Sequence, residues 1–348
     1  MATIYQSSLQ LPAESNAEAA PSARARSVLE LIGNTPLLEI TRLTAGLLRP
    51  DVHVYAKLEG FNPGGSVKDR AALKMIEVAL ARGDLRPGKT ILDSSSGNTG
   101  IALAMVGSVL GYPVEIVIPG NVSRERKRII QAFGAKAIFS DPMEGSDGAI
   151  LLARKLLAAN ADRYFKPDQY NNEANPLAHF EGTGPEIWRQ TNGGITHFLA
   201  AIGTGGTIMG TGRYLKSCNP DIKVIAIEPD DAMHGLEGLK HMASSIVPGI
   251  YRETELDDKI QVSTDDAYEM VYGLGQLEGI LVGQSSGAAM VAALKVARSL
   301  RHGCVVTVFP DFGDKYLSTN LWFGWQEWRR ERMQRFLEKW NVPASVIT

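Results

Sequence analysis

Cysteine is nearly absent from this chain, with only Cys218 and Cys304 among its 348 residues. Two thiols exclude a disulfide framework and a zinc site with four cysteine ligands. The sequence also has no HExxH or CxxC motif and no close histidine pair, so we predict no metal site. An excess of positive charge is missing as well, because 36 Lys and Arg residues face 38 Asp and Glu residues. This balance argues against a partner that is a nucleic acid or an anionic membrane.

Long apolar runs are missing too. The uncharged stretches 94–114 and 191–212 are interrupted by Gly, Ser and Thr, so neither is a continuous apolar span of about 20 residues. The Ala- and Ser-rich residues 1–27 contain no apolar core of a secretory signal, and their two glutamates disfavour a transit peptide. We therefore expect a soluble, cytoplasmic protein whose residues 1–27 form a flexible arm.

What the chain does have is an alternation of short strand-like runs and helix-length segments. Between residues 68 and 83, apolar side chains recur at helical spacing and Gly83 is a plausible stop. Strand-like runs at 90–92, 114–118, 135–139, 197–202, 223–227 and 305–309 are separated by similar helical segments. This pattern predicts an α/β protein with two parallel sheets. A polar segment near 170–176 is the predicted boundary between an N-terminal domain, 28–172, and a C-terminal domain, 173–348.

The first loop that could carry chemistry is Asn-Pro-Gly-Gly-Ser-Val-Lys at 62–68, just before a predicted helix. Lys68 would face the positive end of the helix dipole, which favours the neutral amine. A lysine that is readily neutral is suited to forming a Schiff base. By itself the segment fits a loop with a solvated lysine better than a Schiff-base site.

Two further loops have the composition of anion sites at helix N-termini. Ser-Ser-Ser-Gly-Asn-Thr at 94–99 offers hydroxyl, amide and backbone N–H donors for a carboxylate, although an ordinary helix cap has the same composition. Gly-Thr-Gly-Gly-Thr at 203–207 is typical of a phosphate cradle. It departs from the dinucleotide fingerprint at Ile208. Glu228 nevertheless ends a later strand where a ribose-binding acid would lie, which keeps a nicotinamide cofactor open.

A fourth loop, Gly-Gln-Ser-Ser-Gly at 283–287, also precedes a helix, and close helix packing alone would explain it. In an α/β protein such loops lie at one edge of the sheets, where ligands bind. A phosphate site, a carboxylate site and an activatable lysine together indicate pyridoxal phosphate and an amino-acid substrate.

With these loops, the chain resembles the cysteine synthase family, the O-acetylserine sulfhydrylases of the fold type II pyridoxal-phosphate enzymes. The resemblance extends from Ile-Gly-Asn-Thr-Pro-Leu at 32–37 to Lys-Tyr-Leu-Ser-Thr at 315–319. It implies a tryptophan synthase β-like fold of two three-layer αβα domains, an active site between them, and a homodimer. It also implies that Lys68 binds the cofactor as a Schiff base and later moves the Cα proton. The other residues that it implies for the cofactor are Asn98, Gly203, Thr204, Gly205, Gly206, Thr207 and Ser285. Those that it implies for the substrate are Ser95, Ser96, Gly97, Asn98, Thr99, Gln169, Lys240 and His241.

Some segments depart from the family or stand outside it. Ser95 occupies a position where the family usually has Thr, which removes a methyl group but keeps the donor. The stretches 238–242 and 247–251 look more like the B isozyme, in which basic residues near the entrance can recognise a phosphorylated serine. The basic run 124–128 is expected on the solvated surface. The Trp- and Arg-rich tail beyond 319 is expected to dock on the body of the protein or on a second subunit.

The predicted reaction is a β-replacement that makes L-cysteine from O-acetyl-L-serine and sulfide, or another sulfur donor, through an aminoacrylate intermediate. An O-phosphoserine sulfhydrylase and a cystathionine β-synthase-type enzyme remain open as alternatives. A dehydratase of the same fold usually has Asn-His where this chain has Asn98-Thr99. A nicotinamide-dependent oxidoreductase would leave Lys68 unexplained.

Overall fold

A computed structural model describes residues 24–95, 97–319, 321 and 330–347. They form two β-sheets with helices on both faces, which confirms the predicted α/β class. The strands are β1 (Leu37–Glu39), β2 (Val52–Leu58), β3 (Thr90–Ser94), β4 (Val114–Pro119), β5 (Lys136–Ser140), β6 (Tyr164–Phe165), β7 (His197–Ala201), β8 (Lys223–Pro229), β9 (Asp258–Val262) and β10 (Gly303–Phe309). The helices are α1 (Lys68–Arg82), α2 (Asn98–Leu110), α3 (Arg124–Ala132), α4 (Gly145–Ala159), α5 (Ala174–Ala178), α6 (Gly184–Gln190), α7 (Gly206–Cys218), α8 (Thr264–Gly273), α9 (Gln284–Ser299) and α10 (Arg330–Trp340).

The smaller sheet has four parallel strands in the order β5-β4-β3-β6. Ile91 and Ile116 pack against α2 on one face, while Leu92 and Val117 pack against α4 on the other. Burial on both faces explains why these strands are continuous apolar runs in the sequence.

The larger sheet has six strands in the order β1-β2-β10-β7-β8-β9, all parallel except β1. Helix α7 covers one face, and α8 and α9 cover the other. Strands β1 and β2 belong to this sheet because β2 pairs with β10. The chain therefore enters the larger sheet first, which differs from the predicted division into 28–172 and 173–348. Local patterning does not reveal which distant strand completes a parallel sheet.

Helix α1 follows the predicted apolar stripe. Ala72, Met75, Ile76 and Ala79 are buried on its inner side. The helix ends at Gly83, whose φ of 75° is the left-handed conformation that glycine adopts most readily. This packing holds the first residue of the helix, Lys68, at the junction of the two sheets.

The C-terminal helix α10 docks on the body of the same chain, one of the two predicted arrangements. Phe336 and Leu337 are buried in the core that contains α8, and Lys339 pairs with Asp266 and Glu269. Residues 1–23 of the predicted arm and Trp322, Trp325 and Trp328 lie outside the described residues. In the described part of the chain, no helix combines the length and apolar character that crossing a membrane requires.

Candidate active site

A cavity lies between the two sheets, at the edge where the parallel strands end. Residues that follow β3, β7 and β10 contribute to its wall. The predicted site residues that line it are Lys68, Ser95, Asn98, Thr99, Gln169, Gly203, Thr204, Lys240 and Ser285. The fold thus brings residues from all four candidate loops together in one place.

Lys68 is the first residue of α1 and projects from the glycine loop into this cavity. Burial lowers the pKa of its amine, and the nearby carboxylate of Asp311 opposes that effect only in part. A lowered pKa increases the fraction of neutral amine, which is the form that attacks a carbonyl carbon.

The carboxylate-type loop surrounds the start of α2. The Ser95 hydroxyl oxygen accepts hydrogen bonds from the N–H groups of Gly97 and Gly100, each at 3.0 Å, so it caps the helix. Thr99 Oγ1 donates to Gln169 Oε1 at 2.6 Å, and Gln169 Nε2 donates to the Ser94 carbonyl at 2.8 Å. The loop is therefore a helix cap, and it also lines the cavity in which a carboxylate could bind. Ser96 lies outside the described residues.

The glycine loop 203–207 turns β7 into α7. Gly205 has a φ of 87°, and an added Cβ on Gly206 would overlap the side-chain oxygen of Asn175. Asn175 Nδ2 donates to Thr204 Oγ1 at 3.0 Å, which braces the loop. Backbone N–H groups at the start of a 13-residue helix, beside a glycine that has no room for a Cβ, are suited to hold a phosphate group.

Ser285 lies in the first turn of α9 and completes the cavity wall. The cavity therefore offers an amine with a lowered pKa, a phosphate cradle and a hydroxyl group. These groups fit a cofactor that carries an aldehyde, a phosphate and a ring nitrogen.

Comparisons with known proteins agree with this chemistry. The family model described as "Pyridoxal-phosphate dependent enzyme" matches residues 28–311. The chain is 56% identical over 306 residues to the cysteine synthase of Aquifex aeolicus, which covers 86% of this chain and 94% of that protein. It is 41% identical to cysteine synthase B of Pseudomonas aeruginosa, over 85% of this chain and 97% of that protein. The chain belongs to the cysteine synthase family.

A solved structure supports the same assignment. The crystal structure of a cysteine synthase from Entamoeba histolytica superimposes with a TM-score of 0.85 at 36% identity, covering 94% of this chain and 99% of that chain. The predicted family, fold type and dependence on pyridoxal phosphate are thereby confirmed.

The two basic residues predicted near the entrance occupy different surroundings. Lys240 is only 7% exposed and lines the cavity, with its Nζ 3.3 Å from Asp147 Oδ1 and 5.5 Å from the centre of the Tyr170 ring. His241 is not part of the cavity lining, and its Nδ1 lies 2.8 Å from Ser244 Oγ. Only the first of the pair can contact a bound ligand in this conformation.

The prediction that the basic run 124–128 is solvated is wrong for Arg126. Its side chain is buried and lines the cavity, where the guanidinium lies 4.5 Å from the centre of the Tyr316 ring and pairs with Glu237. Arg124 and Arg128 are exposed, as expected. Arg126 lies one helical turn before Ile130, the other buried residue of α3, although the partners that bury it come from other parts of the chain.

Glu228, the residue that left a nicotinamide cofactor possible, makes contacts inside the protein and not with the cavity. Glu228 is buried at the end of β8, where its Oε2 accepts from the Met242 N–H at 3.2 Å and its Oε1 lies 3.3 Å from Lys259 Nζ. It does not line the cavity. Among the described residues, no group of three or more His, Cys, Asp or Glu side chains is arranged to hold a metal ion.

Proposed function

We propose that this enzyme makes L-cysteine by β-replacement, with O-acetyl-L-serine as the amino-acid substrate and sulfide as the sulfur donor. The observation that carries the proposal is the convergence of Lys68, the Ser95–Asn98–Thr99 cluster and the 203–207 loop on one cavity. When it is bound, pyridoxal phosphate supplies an electron sink that acidifies the Cα–H bond of an attached amino acid.

Lys68 is the residue that we assign to proton transfer. Its amine is available as a base because burial lowers its pKa. It enters the cavity from the start of α1, and α1 is anchored by the apolar stripe described above. In this arrangement Lys68 Nζ would hold the cofactor, and the same amine would take the Cα proton.

The substrate carboxylate is assigned to the start of α2. The N–H groups at the start of that helix and the hydroxyl of Ser95 are donors for an anion, and Thr99 lies beside them in the cavity wall. Gln169 accepts from Thr99 and so fixes the direction of that hydroxyl. Gln169 Nε2 donates to the Ser94 carbonyl at the end of β3, and its own backbone carbonyl accepts from Asn175, which also donates to Thr204 in the loop after β7.

The remaining contacts are assigned to the cofactor. The loop of Gly203, Thr204, Gly205, Gly206 and Thr207 would hold its phosphate, and Ser285 would face the ring nitrogen. A hydroxyl cannot keep that nitrogen protonated as a carboxylate would, which favours prompt elimination of the β-substituent.

The leaving group is assigned as acetate because the cations of the cavity wall are already paired. Lys240 lies beside Asp147, and Arg126 pairs with Glu237. A dianionic phosphate would have to displace these carboxylates, whereas a neutral acetyl ester would not.

Replacement of Lys68 tests this assignment. In Lys68→Ala we expect the visible absorbance of the lysine-bound cofactor to be lost and cysteine formation to fall by at least about 10³-fold. Lys74→Ala is the matched control, because Lys74 lies on the same helix and pairs with Glu77 and Glu181 away from the cavity. Wild-type activity in Lys68→Ala would contradict the proposal. A higher kcat/KM for O-phospho-L-serine than for O-acetyl-L-serine would contradict the assigned leaving group.

We also propose that the enzyme is a homodimer and acts in the cytoplasm. The support for dimerisation is the resemblance, together with an apolar groove between α1, α5 and α7 that exposes Leu177 and Phe180. Sedimentation of the purified protein measures the oligomeric state directly, and a monomer at micromolar concentration would contradict the dimer.

A further inference from the structure

The side-chain amide of Asn98 is held at both ends by residues behind the cavity wall. Its Nδ2 donates to Asp311 Oδ2 at 2.7 Å, and its Oδ1 accepts from Lys315 Nζ at 3.2 Å. A carboxylate only accepts hydrogen bonds and an ammonium only donates them. The two partners therefore permit one of the two possible orientations of the amide.

The same ammonium also holds the loop that carries Lys68. Lys315 Nζ donates to the carbonyls of Gly64 and Gly65, each at 2.9 Å. These glycines lie three and four residues before Lys68 in the chain. One cation thus links the loop before α1, which leads into Lys68, with Asn98, the first residue of α2.

Burial makes these bonds costly to lose. Lys315 is 4% exposed and Asp311 is 1% exposed. Tyr316 donates its hydroxyl to Asp311 Oδ2 at 2.6 Å, which fixes the carboxylate that faces Asn98. Removing the ammonium would leave buried carbonyl oxygens without a donor.

Neither Lys315 nor Asp311 lines the cavity, whereas Lys68 and Asn98 do. Lys315 and Asp311 can therefore act on a bound cofactor only through residues that line the cavity. Lys68 and Asn98 are two such residues, and Tyr316, which bonds Asp311, is a third. Misplacement of reacting groups by about 1 Å can cost about 100-fold in rate.

We propose that Lys315 is a positioning residue that fixes Asn98 and the Lys68 loop relative to each other, so that both side chains meet the same bound cofactor. This inference rests on the proposed function, which places the cofactor in this cavity. Asp311 contributes by holding the amide of Asn98 in the orientation that Lys315 requires.

A first test measures cofactor binding without any substrate. Apo-protein of the wild type, Lys315→Met and Lys315→Arg is titrated with pyridoxal phosphate, and the visible absorbance gives the dissociation constant and the band position. We expect Lys315→Met to bind about 10-fold more weakly with an altered band, and Lys315→Arg to recover most of the affinity. Lys216→Met is the matched control, since Lys216 also donates to a carbonyl, that of Ile222, far from the cavity. Wild-type affinity and absorbance in Lys315→Met would overturn the proposal.

A second test asks whether Lys315 acts through Asn98. The loss in kcat/KM for cysteine formation is measured for Lys315→Met in the wild type and in Asn98→Ala. We expect a loss of about 10- to 100-fold in the wild type and a clearly smaller one in Asn98→Ala. Equal losses in the two backgrounds would overturn the coupling between these residues.

The outcomes separate this inference from the proposed function. If the wild type binds the cofactor but makes no cysteine, the proposed reaction fails while the titration still decides the role of Lys315. If Lys315→Met does not fold, Asp311→Ala replaces it, because alanine has no side-chain oxygen to accept from the amide of Asn98. Unchanged cofactor affinity in Asp311→Ala would then overturn the proposal.

Discussion

A buried histidine next to the phosphate cradle predicts a specific dependence of stability on pH. His179 is 1% exposed, with its Nδ1 2.9 Å from Thr183 Oγ1 and its Nε2 3.3 Å from Thr207 Oγ1. Burial, together with the positive charge of Arg70, lowers the pKa of His179 to about 3. The imidazole therefore stays neutral in the folded protein at pH values where it is protonated in the unfolded chain.

The sign and size of the effect follow from this difference. The pKa of an unperturbed histidine is about 6.5, so between pH 7 and pH 5 the unfolded chain takes up most of one proton that the folded protein does not bind. At 1.36 kcal/mol per pH unit, this site lowers the free energy of unfolding by about 2 kcal/mol between pH 7 and pH 5. The loss continues to grow until the pH reaches the pKa of the folded protein, about 3.

The assay is urea unfolding of the apo-protein at pH 7 and pH 5, because bound cofactor would add its own contribution to stability. In His179→Gln, the amide can still contact both threonines, but the site no longer titrates. We expect its loss of unfolding free energy between the two pH values to be about 2 kcal/mol smaller than that of the wild type. His302→Gln, at an exposed histidine, is the matched control. Equal losses in the wild type and His179→Gln would refute the reasoning.

Two other substitutions test the cradle and the C-terminal helix. Gly206→Ala places a methyl group against Asn175, which overpacks the loop by about 1–3 kcal/mol, so we expect apo-protein to bind pyridoxal phosphate at least about 10-fold more weakly. Undiminished affinity in an absorbance titration would speak against this loop as the phosphate site. Phe336→Ala empties a buried position between α10 and α8, where Gly273 leaves room for the ring, and should lower the free energy of unfolding by about 3–5 kcal/mol. A urea-unfolding change below about 1 kcal/mol would mean that α10 does not dock there in solution.

The sequence alone predicted the parts of the site that are local in the chain. Each loop is recognisable by glycines and hydroxyl residues just before a helix. Parallel sheets bring such loops to one edge. Lys68, Thr99, Gly203 and Ser285 could therefore be assigned to one site from the sequence. The comparisons confirm the family and cofactor that these loops indicated.

What the sequence could not predict depends on contacts between distant segments. Helical spacing places Arg126 on the face of Ile130, but the sequence does not show that Glu237 and Tyr316 approach its side chain. Lys315 and Asp311 do not lie in one of the glycine-rich loops that precede a predicted helix. The sequence around them therefore does not indicate that they contact Asn98. The sequence also does not show that β2 belongs to the larger sheet, because its partner β10 begins 245 positions after β2 ends, at Gly303 against Leu58.

The order of strands in the two sheets has a consequence for synthesis on the ribosome. The smaller sheet is built entirely from residues 90–165, so all its strands are available early. The larger sheet cannot join β2 to β7 until β10, which begins at Gly303, has left the exit tunnel. We therefore expect the smaller unit to fold during translation, while β2 and its apolar faces remain open to chaperones until β10 has emerged.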